Sequence, residues 1–261
     1  MVTDVAAFVG PYPYRHLADP SPGWLLRHMD RLGVDRAWVG HLPSAFARDP
    51  GAGNRELLSV LQPHRDRLIP VPTVHPGLPD WEADVNDAVA AGAPALRVFP
   101  MQQGLDPAGG AMRVLAGVAA AAELPLVLTV RFEDPRQRHP LDGAEDLPAS
   151  AVRALVRADP DVRVLVSHAE RGFVEEVHFG STPAEAGRLA WDIAWVWGPP
   201  EDHLALLIET IGLERFVLGS GMPLRIPDTP HARLDLLRLA PARRSAILSG
   251  NLESWLAGST R

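Results

Sequence analysis

The chain has 261 residues, 46% of them hydrophobic and 22% charged, enough to bury a large core and in the range of one α/β barrel or two small domains. Its net charge of -7 without a basic stripe argues against nucleic-acid binding, no apolar run reaches membrane-spanning length and no signal pattern opens the chain, so a soluble, cytoplasmic protein with no membrane contact is expected. Cys is absent and all 25 basic residues are Arg, which excludes thiolate nucleophiles, Cys-ligated zinc, disulfides, Schiff-base lysines, lysine general bases and carbamylated lysines.

Short β-rich runs alternate with amphipathic stretches along the whole length, the pattern of a parallel sheet with crossover helices. In chain order the runs are Asp4–Gly10, Ala37–Leu42, Leu68–His75, Ala95–Pro100, Leu124–Phe132, Arg163–His168, Leu189–Trp195 and Phe216–Ser220. Helical periodicity lies between them, as in Trp24, Leu25, Leu26, Met29 and Leu32, and again in Leu204, Leu207, Ile208 and Ile211. Gly33, Gly92 and Gly212 stand where C′ glycines close helices. The prolines fall mainly at strand ends and helix starts, and no linker or short-period repeat divides the chain. Eight β/α units in this length predict one (β/α)8 TIM barrel, a single domain over residues 1–261.

A barrel of this kind places its active site at the C-terminal strand ends. The polar residues there are Tyr12, Tyr14 and Arg15 after the first run, His41 after the second, His75 after the third, and Arg97 with Gln102 at the fourth. The fifth contributes Thr129, Arg131, Glu133, Asp134 and His139, and the sixth His168, Glu170 and Arg171. Asp192 and Trp195 lie in the seventh, with Ser220 and Arg225 at the eighth.

The series Asp4-Val5-x-x-x-Val9-Gly10, Leu124-Pro125-Leu126-Val127-Leu128, Val164-Leu165-Val166-Ser167-His168, Val217-Leu218-Gly219-Ser220-x-x-Pro223 and Ile247-Leu248-Ser249-Gly250-Asn251 resembles the amidohydrolase-2 group of the amidohydrolase superfamily. The resemblance runs over nearly the whole chain. It implies metal ligands at a first-strand His-x-His, at a His ending strand five, at a His ending strand six and at an Asp in strand eight. Those positions read Ala6, Phe8, Thr129, His168 and Gly221. Catalytic zinc requires three protein ligands and an open position, so no metal and no other cofactor is expected. Four further stretches resemble metal-poor members of the group: Gly10-Pro11-Tyr12-Pro13-Tyr14-Arg15, Val74-His75-Pro76, Arg97-Val98-Phe99-Pro100 and Glu133-Asp134-x-Arg136-x-x-His139-Pro140. Trp197 departs from them, since a polar loop residue belongs there.

Three groups of residues could carry chemistry. Arg131, Glu133, Asp134, Arg136 and His139 form either a salt-bridged loop latch or an acid/base pair in which Asp134 or Glu133 orients His139. His168 and Asp192, on neighbouring strands, form either an oriented general base or a leftover ligand with a structural hydrogen bond. Arg15, Arg97 and Arg131, joined by Arg225, form an anion-gripping ring or pair with the acidic residues of the chain. Phe8, Tyr12, Tyr14, Phe99, Trp195 and Trp197 supply flat apolar walls suited to a planar carboxylate.

The expected protein is a metal-independent, amidohydrolase-like hydrolase or lyase, with decarboxylation and cyclisation both within the resemblance. It would act on a small, planar, anionic substrate, with His168, Asp192, His139, Asp134 and Glu133 as catalytic candidates. Arg15, Arg97, Arg131, His75, Tyr14, Phe8, Thr129 and Trp195 are the substrate-binding candidates. The alternative is a non-catalytic ligand-binding or partner protein that lost its metal, and a homo-oligomer is left open. A third reading is a metal site formed by His75, His41 or His139 together with His168.

Overall fold

A computed structural model describes residues 1–195 and 203–258. Trp197 lies outside them. Eight parallel strands follow the predicted runs in order: β1 (Thr3–Val9), β2 (Arg36–His41), β3 (Leu68–Pro70), β4 (Leu96–Val98), β5 (Leu126–Thr129), β6 (Val164–Ser167), β7 (Leu189–Asp192) and β8 (Phe216–Val217). Two ladders, β1-β2-β3 and β4-β5-β6-β7-β8, make up the wall. They join at both seams. Arg97 N–H donates to Pro72 O at 2.8 Å and Val74 N–H to Arg97 O at 2.8 Å, linking β3 to β4. Val5 N–H donates to Leu218 O at 2.9 Å and Gly221 N–H to Ala6 O at 2.8 Å, linking β8 back to β1. The eight strands therefore form the closed TIM barrel that the alternation predicts.

Several strands are shorter than their runs. The Leu68–His75 run yields only Leu68–Pro70 because Pro70 and Pro72 have no N–H to give to a ladder, although Val71 N–H still donates to Val39 O at 2.8 Å. The Leu189–Trp195 run stops at Asp192, whose side chain accepts the N–H of Ala194 and turns the chain. The first helix, Pro22–Leu32, shows how sequence sets an element. Ser21 caps it by accepting the Trp24 N–H, Pro22 sits in its first turn, and Gly33 closes it at φ 67. It buries Leu25 and Met29 against the barrel wall.

Side chains alternate across each strand, and the barrel interior is layered as a result. At the bottom Val5, Trp38, Val71, Ala95, Val127, Leu165, Ala190 and Val217 form an apolar plug, closed below by Leu252 and Trp255. At the top Phe8, Tyr12, Leu17, Leu42, Phe99, Phe132 and Leu224 form an apolar cover. The wall's other face packs on the helices in the main core. No helix among the described residues is long and apolar enough to cross a membrane.

The β1–β8 seam has a side-chain latch. Asp4 accepts the Ser220 N–H at 3.0 Å, the Ser220 hydroxyl, and the Ala6 N–H at 2.9 Å. Burial raises its carboxyl above the usual range in spite of these donors.

Candidate active site

Two residues up from the apolar plug, four neighbouring strands place polar side chains in the lumen. Arg97 stands two above Ala95, Thr129 two above Val127, Ser167 two above Leu165, and Asp192 two above Ala190. All four are buried, between the plug and the aromatic cover.

His168 follows β6 directly and lies in the left-handed region at φ 60, unusual for a residue other than glycine. Its backbone N–H donates to Asp192 Oδ1 at 3.1 Å, and Ala194 N–H donates to the same oxygen. Asp192 thus pins the turn that carries the imidazole. It does not touch the ring, contrary to the direct pairing expected from neighbouring strands. Ser167 intervenes: its hydroxyl donates to Asp192 Oδ2, and its Oγ lies 2.8 Å from His168 Nδ1. With the hydroxyl proton committed to a carboxylate, Oγ can only accept from Nδ1–H. That fixes the tautomer and leaves Nε2 with its lone pair. Nε2 is buried and has no hydrogen-bond partner among the described residues. Burial first, then the Arg225 and Arg97 charges, hold the His168 pKa well below 6.5, so the ring is neutral at physiological pH. Burial raises Asp192 to about 6 against the lowering effect of its three donors.

Arg97 is fully buried, its guanidinium carbon 4.6 Å above the Phe8 ring. One nitrogen donates to Val5 O at 2.9 Å, while Nε and the other terminal nitrogen find no acceptor among the described residues. Its pKa is pushed down to about 10 by burial, partly offset by Asp192 and Asp4, so the group stays charged. Phe8 links the two groups, its centroid 6.4 Å from that of His168. Trp195 stands 6.0 Å from His168 on another side and carries the Arg225 guanidinium at 3.6 Å over its ring. Thr129 Oγ1, paired in register with Ser167, also lacks a partner among the described residues. Two glycines make room for these side chains. A Cβ on Gly40 would lie 2.8 Å from Arg97 Nε, and one on Gly221, at φ 70, would lie 2.7 Å from His168 Nε2.

The rim after β5 is arranged differently. Asp134 accepts from Arg136 through both oxygens at 2.9 and 2.8 Å, and Glu133 accepts from Arg15 at 3.0 Å. Neither orients His139, which is exposed, stacks on Tyr14 at 5.7 Å and accepts the Leu141 N–H. The latch is what forms, because guanidinium forks outcompete an exposed imidazole for carboxylates. The arginine ring does not assemble either. Arg15 is on Glu133, Arg131 bonds Asp146 and Glu170 at 2.8 and 3.3 Å, and Arg225 donates to Phe132 O. Arg97 and Arg225 make no carboxylate bond among the described residues, and of the four only Arg97 is fully buried. His75 accepts the Gly77 N–H within its own loop, and Tyr14 packs edge-on against Phe46 outside the cover, so neither lines the lumen as expected. His41 bonds Ser44 at 2.9 Å.

No three His, Asp or Glu side chains converge to hold a metal among the described residues, and so His75, His41 and His139 do not gather about His168. At the positions where the resemblance implies ligands, Ala6, Phe8, Thr129 and Gly221 offer no imidazole or carboxylate, and the charges acting on His168 are two guanidiniums. The residues present do not fit a divalent cation.

Ser167 and Asp4 are absent from the sequence-based candidates. Ser167 had a signal: it is a hydroxyl at a lumen-facing position of an otherwise apolar run, immediately before His168. Asp4 had none, because its partner Ser220 lies 216 residues away.

No protein-family model and no curated protein sequence matches the chain. Solved structures do resemble it. A dihydroxybenzoic acid decarboxylase from Polaromonas, solved with manganese and the inhibitor 2-nitroresorcinol, superposes with a TM-score of 0.74 at 14% identity, over 98% of this chain and 96% of that one. The 5-carboxyvanillate decarboxylase of Sphingomonas paucimobilis gives 0.73 at 14%, over 98% of each chain. A Pseudomonas putida protein assigned as a 2-pyrone-4,6-dicarboxylic acid hydrolase gives 0.71 at 19%, over 100% of this chain and 98% of that one. At these identities the likeness establishes the shared barrel.

Proposed function

We propose that this chain is an amidohydrolase-like enzyme that hydrolyses a small, planar ester or lactone bearing a carboxylate, without a metal. The observation that carries the reading is the set of unbonded polar atoms in the lumen: two nitrogens of Arg97, Nε2 of His168 and Oγ1 of Thr129, buried between an apolar plug and an aromatic cover. A buried donor or acceptor without a partner costs about 1–3 kcal/mol, and a ligand that bonds all four atoms recovers it. Arg97 would fork the substrate carboxylate, and Phe8, Phe99 and Trp195 would flank its plane.

The tautomer set by Ser167 and Asp192 makes His168 an acceptor at Nε2, which suits it to take a proton from water rather than to give one to a ring carbon. The water oxygen then bonds to the acyl carbon, with the Thr129 hydroxyl donating to the developing oxyanion. The acyl C–O bond breaks, and the imidazolium returns its proton to the departing oxygen. The barrel shared with decarboxylases and with an assigned lactone hydrolase supports a planar carboxylated substrate.

The test is a panel of planar carboxylated lactones, aryl esters and hydroxybenzoates, run in 18O water with chelator present. One label in the product carboxyl and full activity in chelator are expected. Release of CO2 from a hydroxybenzoate would replace hydrolysis with decarboxylation, and ligand binding without turnover across the panel would return the chain to a non-catalytic role.

A further inference from the structure

Outside the lumen, on the far side of the aromatic cover, an open cavity of about 310 Å³ is lined by Tyr14, Phe46, Met101, Gln102 and Asp142. Tyr14 and Phe46 meet almost at right angles, their centroids 5.4 Å apart at an interplanar angle of 87°, and so form two walls of a corner. Asp142 is 9% exposed, and its side chain accepts only the N–H of Ala144 at 3.3 Å among the described residues. The guanidiniums of its own loop are engaged elsewhere: Arg136 on Asp134, Arg138 on Asp146 and the Ala144 carbonyl, and Arg131 on Asp146 and Glu170. A nearly buried carboxylate without a cation among the described residues therefore faces a corner of two aromatic rings.

We propose that this cavity binds an organic ammonium group, seated in the corner formed by Tyr14 and Phe46 and paired with Asp142. The chemistry selects that class. Aromatic faces are negative and attract a cation, a carboxylate adds a charge partner, and both repel an anion. A neutral hydroxyl could reach Gln102 but would gain nothing from the two rings. Tyr14 packs on Tyr12 and Phe46 on Phe132, rings of the aromatic cover, and neither Tyr14, Phe46 nor Asp142 takes part in the proposed hydrolysis, so binding here does not depend on it.

Isothermal titration of the full chain with benzyltrimethylammonium, benzylammonium and benzyl alcohol tests the proposal. Saturable binding of both cations, at least about tenfold tighter than the alcohol, is expected. Asp142→Asn keeps an oxygen for the Ala144 N–H and should weaken both cations about tenfold without lowering the melting temperature. Phe46→Leu should weaken benzyltrimethylammonium similarly and serves as the reporter if the Asp142 variant misfolds. Equal affinity for alcohol and cation, or unchanged cation affinity in both variants, would overturn the assignment.

Discussion

The lumen and the rim after β5 contain the same chemical groups, arginine, carboxylate and imidazole, and treat them in opposite ways. On the rim most charges find an opposite: Asp134 with Arg136, Glu133 with Arg15, Asp146 with Arg131 and Arg138. In the lumen the side chains of Arg97, His168 and Asp192 do not bond one another, and Asp192 meets His168 only at its backbone N–H. Ser167 stands between carboxylate and imidazole, and Phe8 between imidazole and guanidinium. The rim holds more charged side chains, yet charge already paired within the protein leaves little capacity for a ligand. Unpaired polar atoms that burial has stripped of water are the reason for proposing the lumen as the working site.

The sharpest test of that contrast is the hydrogen-bond relay that runs from Asp192 through Ser167 to His168 and sets its tautomer. His168→Gln should preserve the fold and cut turnover by about 10²–10⁴-fold, the range for losing a positioned base. Asp192→Asn should do nearly as much by a different route. Its amide nitrogen would face Ser167, the Ser167 hydroxyl would rotate to donate to Nδ1, and the imidazole proton would move to Nε2, where a base is needed. Turnover measured beside circular dichroism checks both. Wild-type turnover in Asp192→Asn would sink the relay and leave His168 with a structural role only.

Arg97 offers the next largest effect, with opposite signs on stability and affinity. Replacing a buried guanidinium by an apolar side chain of similar length removes a desolvation cost, so Arg97→Met should melt no lower than the parent. The same variant loses the carboxylate fork and should weaken substrate-analogue binding by about 1.5–3 kcal/mol. A variant that melts far lower but binds unchanged would make Arg97 a strut between Phe8 and the Val5 carbonyl.

The pH dependence follows from the two shifted groups. The proposed hydrolysis requires His168 neutral and Asp192 ionised, so kcat/KM should fall as pH drops through about 6, the value to which burial raises Asp192, and should be flat near neutrality. Stability carries both signs. Asp192 binds its proton more tightly folded than unfolded, so stability declines as pH rises from 3.8 to about 6. His168 binds its proton less tightly when folded, so it adds stability as pH rises toward 6.5. Urea titrations across this range should show the decline vanish in Asp192→Asn and the rise vanish in His168→Gln.

The sequence carried the barrel and one half of the contrast. Short β-rich runs alternating with helical stretches located all eight strands, because each strand must be apolar on both faces except where it ends in the lumen. His168 was legible as the polar end of such a run. What was not legible is pairing. Arg15 reaches Glu133 across 118 residues and Ser220 reaches Asp4 across 216, and nothing local in either stretch reports the partner. A charge cluster such as Glu133 to His139 therefore reads the same whether its members catalyse or cancel. Proline placement was visible, but its effect in ending β3 at Pro70 depends on which neighbour's carbonyl goes without a donor.

The smallest expected effect is the control on the other side of the comparison. Arg136 is exposed and holds Asp134, whose carboxyl it keeps well below the usual range, so the pair's contribution is present above that range and disappears only in acid. Exposed pairs of this kind contribute little, because water and salt screen them and two side chains lose freedom to make them. Arg136→Gln should accordingly leave kcat and KM within about twofold of the parent and shift the melting temperature barely at all at moderate salt. Should this variant instead lose turnover as His168→Gln does, the rim cluster would be catalytic after all. The functional divide would then fall between strand five and strand six rather than between rim and lumen.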